Sequence, residues 1–427
     1  MPPNPLAAVA THTNELLLYF TLLELTVIVL AGRVGGALAS RCGQSPAVGE
    51  IVIGILLGPS LFGLVAPHAF DYVFHSAPPQ PLNVLSSLGL VLLMFQIGLE
   101  FDFSHLSERM NRTALLRVAT ACLVLPFACG FALGFSVTGG PAQMRIDTAL
   151  FVATAFSITA LPTMGRIMIE FNMTRSRLGV IAISSAAVND VVGWLLLALV
   201  TTLSVSDFAP AGFALRIAMV AAFGLVCVKL VRPMLKAAVR KSRPKDGKMT
   251  GNLLGGLLAV IFIAAMTTYQ IGIFAIFGGF MMGVILYDEH ELVTAWRARI
   301  GDFVTVFFLP IFFTYTGLRT SIGTLHGLGD WGLCLAIVAV ATLAKLCAGY
   351  FAARRSGLNH PEAAVIGYLM NTRGLMELIV INVGLDLGVI SPKLFSMLVI
   401  MAIFSTVITS PALRYYLPRA GLKDLQA

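Results

Sequence analysis

Charged residues are scarce in this chain of 427 residues: they make up 12% of it, whereas 57% of the residues are hydrophobic. Soluble domains carry about 25% charged residues. A soluble protein of this length would need polar surfaces on two or three domains, which this composition does not supply. Apolar runs of about 20 residues recur from residue 15 to residue 417, a pattern typical of membrane-spanning helices. The predicted fold is therefore an all-α integral membrane protein.

Residues that build catalytic sites and disulfide frameworks are few and scattered. The histidines fall in loops or near the termini, so no nucleophile–base or metal constellation is predicted, and neither an enzyme nor a cofactor is expected. The cysteines lie mostly within apolar segments, which favours small apolar residues over disulfides or metal ligands. They are Cys42, Cys122, Cys129, Cys227, Cys334 and Cys347.

Cutting the sequence at polar, charged or Pro/Gly-rich breaks predicts about thirteen spans. With the N-terminus outside, most Lys and Arg residues fall on the cytoplasmic side, as the positive-inside rule requires. The C-terminus is then cytoplasmic, and the basic residues mark a membrane face rather than a nucleic-acid surface. The predicted spans are 15–37, 47–66, 84–103, 113–137, 147–170, 178–204, 211–235, 250–270, 272–288, 301–318, 331–353, 361–386 and 393–417.

The basic stretch 236–248 is the one linker with real length and polarity. It separates a first repeat plus a connecting helix (15–235) from a second repeat (250–417). Because a single connecting span lets two similar halves lie in opposite orientations, an inverted repeat is predicted. Residues 1–427 are interpreted as one transmembrane unit without a soluble regulatory domain.

Asp190 is the only formally charged residue from Leu178 to Leu203 and lies about midway along its span. A charge at that depth costs about 2.5–3.5 kcal/mol even on a lenient scale, so it is retained for pairing or for function. A carboxylate beside the amide of Asn189 offers the oxygen ligands that hard cations prefer. Since a carboxylate holds either a cation or a proton, we predict that Asp190 binds each in turn; a purely structural ion pair is the alternative.

Lys345 is the only charge in the apolar segment 332–353. Its depth predicts a lysine that pairs with an acidic or amide group in the protein core. The alternative is that its long side chain reaches the cytoplasmic interface.

Polar interruptions occur at matching places in the two halves. Pro162, in SITALPT (157–163), removes a backbone donor from the fifth span, and MNTRGLMELIV (370–380) puts Arg373, Gly374 and Glu377 into the twelfth. Two broken helices are therefore predicted near the membrane midplane, where unwound backbone and half-helix dipoles form ion sites. The further intramembrane carboxylates Glu24 and Glu50 are interpreted as lining an access funnel or the interface between the halves.

Four stretches of the sequence occur together in a known family. They are QSPAVGEIVIGILLGPSLFG (44–63), SLGLVLLMFQIGLEFD (87–102), SITALPTMGRIMIEFNMTRSRLGVIAISSAAVNDVVGWLLLALV (157–200) and MNTRGLMELIV (370–380). In these stretches, and in their order, the chain resembles the second cation:proton antiporter family, especially the plant-type cation/H⁺ exchangers.

The resemblance implies a fold of thirteen helices with an inverted repeat. A core bundle of spans 4–6 and 11–13 would hold the site where the two broken helices cross. Spans 1–3 and 8–10 would form a panel through which two copies make a homodimer in the lipid bilayer. The core would move against this panel in an elevator-like manner.

Residue by residue, the resemblance implies that Asp190 binds the monovalent cation and the proton, with Asn189 beside it. Lys345 occupies the family's basic position in span 11, and Arg373 and Glu377 match the charged residues of the broken span 12. Thr159 lies at the break of span 5. A serine that some relatives use one turn before the aspartate is Ala186 here, so Ser185, one place earlier, is the candidate ligand.

The predicted function is a secondary antiporter that exchanges Na⁺ or K⁺ for H⁺ in the cell (inner or plasma) membrane. Relatives with two adjacent aspartates can exchange two protons, but the first position here is Asn189, so electroneutral exchange is predicted. Two alternatives stay open: a cation channel, although a TVGYG-like filter is absent from the sequence, and an antiporter of an organic solute on the same fold.

Overall fold

Every regular element in the described part of the chain is a helix. The end of the third predicted span (100–103) and the end of the basic linker (243–248) lie outside that part. The computed structural model describes residues 5–44, 46–99, 109–139, 141–173, 176–205, 210–242, 249–272 and 274–421.

Eleven α-helices form the first part of the chain, the last of them extending into the predicted linker as far as Ser242, and a π-helical turn, Cys227–Val231, joins the last two. They are α1 (Pro5–Arg41), α2 (Pro46–Leu56), α3 (Phe62–Val65), α4 (Pro67–Phe74), α5 (Gln80–Leu99), α6 (Arg109–Val137), α7 (Ala142–Ser157), α8 (Leu161–Glu170), α9 (Arg177–Val205), α10 (Pro210–Val226) and α11 (Arg232–Ser242).

Nine α-helices follow the linker: α12 (Gly251–Ile271), α13 (Ala275–Val284), α14 (His290–Trp296), α15 (Leu309–Leu318), α16 (Gly327–Arg355), α17 (His360–Met370), α18 (Leu375–Asp386), α19 (Pro392–Val407) and α20 (Thr409–Tyr416). Two π-helical segments, Arg297–Gly301 and Val304–Phe308, lie between α14 and α15. Short 3₁₀ turns occupy Ile322–Thr324 and Pro418–Ala420.

Several helix starts follow directly from local sequence. At α17, the Asn359 side chain accepts a hydrogen bond from the Glu362 amide (2.9 Å), and the Glu362 carboxylate accepts one from the Asn359 amide (2.8 Å). This reciprocal cap satisfies two backbone donors that a helix start leaves free. Ser391 caps α19 through its hydroxyl, and Pro392 at the first position needs no donor there.

In the described residues, nine helices are long and apolar enough to cross a membrane, and a tenth is reached if the pair His290–Gly301 and Val304–Thr324, bent by 46°, forms one span. Within several predicted spans, the observed helix is shorter than the roughly 20 residues that a straight crossing needs. Among these, α2 has 11 residues and α13 has 10. The multi-pass helical architecture is confirmed, and the count of thirteen stays a prediction.

The distribution of apolar and charged side chains is the reverse of that in a soluble protein. Large apolar side chains such as Met266, Leu335 and Phe351 are more than half exposed, whereas the charged side chains of Lys345 and Arg373 are completely buried. Such a surface faces lipid, and the polar interior holds the functional groups.

The helices pack in two groups. The first group contains α1, α2, α5, α12, α13 and α15, and the second contains α6–α9 and α16–α20. Glycines bring neighbouring backbones close within each group: a Cβ atom at Gly283 of α13 would lie 2.2 Å from the Phe95 carbonyl oxygen of α5, and one at Gly349 of α16 would lie 2.9 Å from the Gly367 Cα of α17. Close backbone approach through small residues gives tight helix packing in membranes.

Candidate functional site

Two broken helices cross in the second group. Between α7 and α8 the chain is non-helical at 158–160, and between α17 and α18 it is non-helical at 371–374. At the crossing, the Ala160 amide donates to the Thr372 carbonyl oxygen (3.1 Å), and the Thr159 hydroxyl donates to the Met370 carbonyl oxygen (3.2 Å). Each break therefore satisfies backbone groups that the other leaves free.

The two breaks have identifiable local causes. Pro162 lies in the first turn of α8, where its missing N–H is tolerated, and proline in general disfavours a helical residue four positions earlier, here Ile158, where the break begins. Gly374 has φ of +142°, a conformation that side chains strongly disfavour. A Cβ atom there would also lie 2.8 Å from the Thr163 hydroxyl oxygen.

Two buried cations cap the C-terminus of α7. Arg373 donates to the carbonyl oxygens of Ala155 (2.8 Å) and Phe156 (3.1 Å), and the Lys345 ammonium donates to that of Ser157. The Thr154 carbonyl oxygen accepts from the Ile158 amide. All four terminal carbonyl groups thus have donors, and the two positive charges lie at the negative end of the half-helix dipole.

The C-terminus of α17 is satisfied by neutral groups. The Asn371 amide donates to the Gly367 and Tyr368 carbonyl oxygens, the Thr372 amide donates to that of Leu369, and the Thr159 hydroxyl donates to that of Met370. The two half-helices are therefore capped asymmetrically, with the cations concentrated on α7.

The sequence predicted an acidic or amide group in the core as the partner of Lys345, and the structure places backbone carbonyl groups there. The Lys345 ammonium donates to two backbone carbonyl oxygens, those of Cys122 in α6 (2.8 Å) and Ser157 in α7. Its complete burial also excludes the alternative that the side chain reaches the membrane interface. The cause is tertiary: α16 packs against α6, and the broken end of α7 supplies a carbonyl that has no amide donor.

The predicted pairing of Arg373 with Glu377 is confirmed. Their side chains meet at 2.8 Å with both residues buried, one helical turn apart at the start of α18. The guanidinium also reaches the Ala341 carbonyl oxygen of α16 at 3.4 Å, so it joins α7, α16 and α18.

Arg373→Leu is expected to lower the stability of the fold by about 3–5 kcal/mol, because it leaves the Glu377 carboxylate buried without its partner. Thermal unfolding of the purified protein in detergent measures the effect. The double variant Arg373→Leu/Glu377→Leu, which removes the uncompensated charge, should recover part of the loss. Equal melting temperatures for wild type and Arg373→Leu would contradict this role.

Asp190 lies in the middle of α9 and is completely buried. Neither of its carboxylate oxygens has a hydrogen-bond partner among the described residues, and the same holds for both amide atoms of Asn189. The backbone N–H of Leu161, at the positive end of α8, and the Lys345 ammonium act on the carboxylate electrostatically without meeting hydrogen-bond geometry. Both carboxylate oxygen atoms thus lack a hydrogen bond from the described residues, and nearby positive groups favour a negative charge there.

The other candidate ligands are differently placed. The Thr159 hydroxyl donates to the Met370 carbonyl oxygen, and its oxygen atom can still accept a hydrogen bond or a cation. The Ser185 hydroxyl donates to the Leu115 carbonyl oxygen of α6. The neighbouring Ser184 hydroxyl, which sequence reasoning passed over, is buried without a partner in the described part of the chain. The ligand set around Asp190 stays a prediction.

Sequence reasoning also missed a row of hydroxyl groups that supports the second break. Thr406 of α19 donates to the Arg373 carbonyl oxygen (2.8 Å), and Thr409 of α20 donates to the Tyr368 carbonyl oxygen (3.4 Å). The available signal was the concentration of Ser and Thr in STVITS (405–410), in an otherwise apolar last span.

Crossed, discontinuous helices around buried charges define the architecture of a secondary membrane transporter. The chain belongs to the sodium/hydrogen exchanger family, whose transmembrane model matches residues 26–417.

Individual relatives agree with this assignment. The chain is 40% identical to the Na(+)/H(+) antiporter NhaS4 of Synechocystis sp., over 93% of this chain and 97% of the relative. It is 34% identical to Cation/H(+) antiporter 17 of Arabidopsis thaliana, covering 94% of this chain but 49% of that protein. The chain therefore spans about half the length of the plant relative.

The fold is similar to a solved structure, that of the sodium proton antiporter MjNhaP1 from Methanocaldococcus jannaschii. The two chains superpose with a TM-score of 0.66 over 94% of this chain and 98% of the other. Their sequences are 14% identical, so this likeness establishes the fold alone.

Proposed function

We propose that this protein is a secondary antiporter that exchanges Na⁺ or K⁺ for H⁺, with Asp190 as the group that carries each in turn. One observation carries the proposal. The carboxylate of Asp190 is completely buried without a hydrogen-bond partner in the described residues, while the cations nearby are engaged elsewhere. Lys345 donates to carbonyl oxygens, and Arg373 to carbonyl oxygens and Glu377.

An ionised carboxylate in this position is unstable unless a positive charge joins it, because transfer of an uncompensated charge into a low-dielectric interior is very costly. A proton neutralises it covalently, and a monovalent cation neutralises it through oxygen coordination. A bound proton weakens the binding of a cation to the same carboxylate, so the proton and the cation compete. This competition converts a buried carboxylate into an exchanger.

Movement between two access states is supported by the division into two helix groups. In the described residues, the polar contacts that join the groups lie near the ends of the helices. At one end, Arg319, directly after α15, donates to Asn382 and Asp386 of α18, and the Asn382 amide donates to the Thr316 hydroxyl of α15 (2.9 Å). At the other, Arg414 of α20 donates to the Gly43 carbonyl oxygen (2.8 Å), and Gln44 donates to that of Val407 (3.2 Å). We propose an elevator-type movement that breaks and remakes these contacts.

The finer architecture belongs to the same proposal. The chain would form one transmembrane unit of thirteen spans, with a first repeat plus a connecting helix at 15–235, the linker at 236–248 and an inverted second repeat at 250–417. Its N-terminus would face outside and its C-terminus the cytoplasm of a cell membrane, and two copies would form a homodimer. The basic loops of the sequence support this orientation.

Exchange should be one for one, because Asn189 cannot ionise and Asp190 is then the only exchanging carboxylate. No net charge would cross the membrane. An electrogenic exchanger would respond to about 2.3 kcal/mol per charge for each 100 mV. Proteoliposomes of the purified protein are expected to exchange protons for Na⁺ or K⁺, but not for choline, at a rate that does not depend on membrane potential.

The potential is best set with a thiocyanate gradient, since this leaves K⁺ free to be tested as a substrate. A pH-sensitive dye inside the vesicles follows proton movement, and protein-free vesicles are the control. Proton flux with no added cation gradient would contradict coupled exchange. A rate that changes with the sign of the potential would contradict the one-for-one mechanism and point to Lys345 as a second proton carrier.

A further inference from the structure

A cavity of 540 Å³ lies where the two helix groups meet, near the C-terminal end of α18. Helices α5, α12, α13 and α15 of the first group and α18 of the second line it. Asn382 and Asp386 of α18 and three polar residues of α5 line it together with aromatic and aliphatic side chains. Exposed residues such as Ser87 lie along its rim. The cavity does not include Asp190.

On α13 the cavity lining ends at Ile276. The next residue on the same helix face is Phe280, one turn further along α13 and 3% exposed. The ring of Phe280 packs against the ring of Trp194, with 6.2 Å between the centroids and 34° between the planes. This contact joins α13 of the first group to α9 of the second.

Trp194 stands in turn next to the candidate ion site. It lies four residues after Asp190 on the same face of α9 and is 3% exposed. At this level α9 presses against the first helix break, because a Cβ atom at Gly193 would lie 2.7 Å from Ile158. Three links therefore connect the cavity with the carboxylate. Helical spacing on α13 links Ile276 to Phe280, the ring contact links Phe280 to Trp194, and helical spacing on α9 links Trp194 to Asp190.

We propose that Trp194 and Phe280 form an aromatic barrier that separates this cavity from Asp190 and controls access to it. The barrier spans the boundary between the helix groups, so relative movement of the groups parts the two rings. Hydrated ions cannot cross the closed contact, because two buried aromatic rings offer no replacement for water ligands. The inference rests on the proposed function in two respects: ions are the species that must pass, and the two helix groups move relative to each other.

Cysteine modification tests the barrier without requiring transport. Asp190→Cys is introduced, and its reaction with a positively charged methanethiosulfonate reagent is measured residue by residue by mass spectrometry, which separates it from the native cysteines. The reaction is expected to be slow in this parent. Adding Trp194→Leu or Phe280→Leu should raise the rate about ten-fold, equivalent to about 1.4 kcal/mol lost from the closed state.

A matched control is present in the chain. Trp296 is also buried, also has an indole N–H without a partner in the described residues, and also packs on a phenylalanine, Phe95, at 4.6 Å. It lies at the end of α14 and packs on α5 of the first helix group, and it does not take part in the contact between α9 and α13. Trp296→Leu should leave the reaction of the cysteine at position 190 unchanged, although it also removes a buried indole ring.

Ser87→Cys, at the cavity rim, should react quickly in every background and confirms that the reagent enters the cavity. Thermal unfolding of each variant identifies any that are misfolded, and two barrier substitutions keep the test decisive if one fails to fold. Unchanged reactivity in both barrier variants, or an equal rise with Trp296→Leu, would overturn the inference. Failure of the wild-type protein to exchange cations would refute the proposed function but leave this accessibility result intact.

Discussion

Asp190→Asn is expected to abolish cation-dependent proton exchange while the protein remains folded and inserted in the membrane. The substitution keeps the shape of the side chain and removes its ability to ionise, so neither the proton nor the cation can be carried. The carboxylate has no hydrogen-bond partner among the described residues, so its replacement removes only its electrostatic interactions with the Leu161 N–H and the Lys345 ammonium. An unchanged melting temperature of Asp190→Asn would show that loss of exchange is not a consequence of misfolding.

Binding gives a second readout for Asp190 that does not depend on transport. A ligand that binds only the folded state at 100 times its Kd stabilises that state by about 2.7 kcal/mol. Saturating Na⁺ or K⁺ should raise the melting temperature of the wild type but not that of Asp190→Asn. Lowering the pH should weaken the wild-type response, because the proton competes with the cation for the carboxylate.

Asp330→Asn is the matched control for Asp190. Asp330 is a carboxylate whose partner is the exposed Lys393, at 2.9 Å, far along the chain from the helix breaks. Its replacement should leave exchange and the cation response unchanged. Substantial cation-dependent proton flux in Asp190→Asn would remove the basis of the proposed mechanism.

Lys345→Met is expected to have the next largest effect, with both stability and exchange reduced. The substitution keeps most of the side-chain volume but removes the donor from the Cys122 and Ser157 carbonyl oxygens. A buried polar group left unsatisfied costs about 1–3 kcal/mol, so the two carbonyls together predict a loss of about 2–6 kcal/mol. Removing one of the two cations at the C-terminus of α7 also weakens the field that acts on Asp190.

Thermal unfolding and proteoliposome exchange measure these two effects on one preparation. Lys393→Met is the control, since this exposed lysine pairs with Asp330 at the surface, where ion pairs contribute about 0–1 kcal/mol. Lys345→Met with an unaltered melting temperature would show that the carbonyl caps do not stabilise the helix break.

The burial of Asp190 in the middle of a helix could be predicted from the sequence, because its single charge lies in the middle of an apolar segment. A single charge in the middle of 26 apolar or weakly polar residues, Leu178 to Leu203, has few structural explanations. Pro162 and Gly374 similarly predicted the two breaks, since proline removes a backbone donor and glycine permits a positive φ. The pairing of Arg373 with Glu377 followed from helical spacing alone.

The hydrogen-bond partners of Lys345 could not be predicted in the same way. They lie on α6 and α7, 223 and 188 residues away along the chain. The sequence shows that Lys345 is the only charge in its apolar segment. It does not show which backbone carbonyl groups lie at the end of a half-helix, because every residue type has one. Ser185 and Ser184 present the same difficulty, because rotation of α9 about its axis decides which hydroxyl meets α6 and which remains unpartnered.

By itself, the sequence determined the membrane class, the placement of single charges within apolar segments, the two broken helices and the resemblance that identified the family. These features depend on composition, on periodicity and on the backbone preferences of proline and glycine. Only the tertiary structure decided that two cations cap α7 while α17 has neutral caps, and that Trp194 of α9 packs against Phe280 of α13. The physical reason is that caps and barriers form between helices distant in sequence, and the packing of whole helices brings them together.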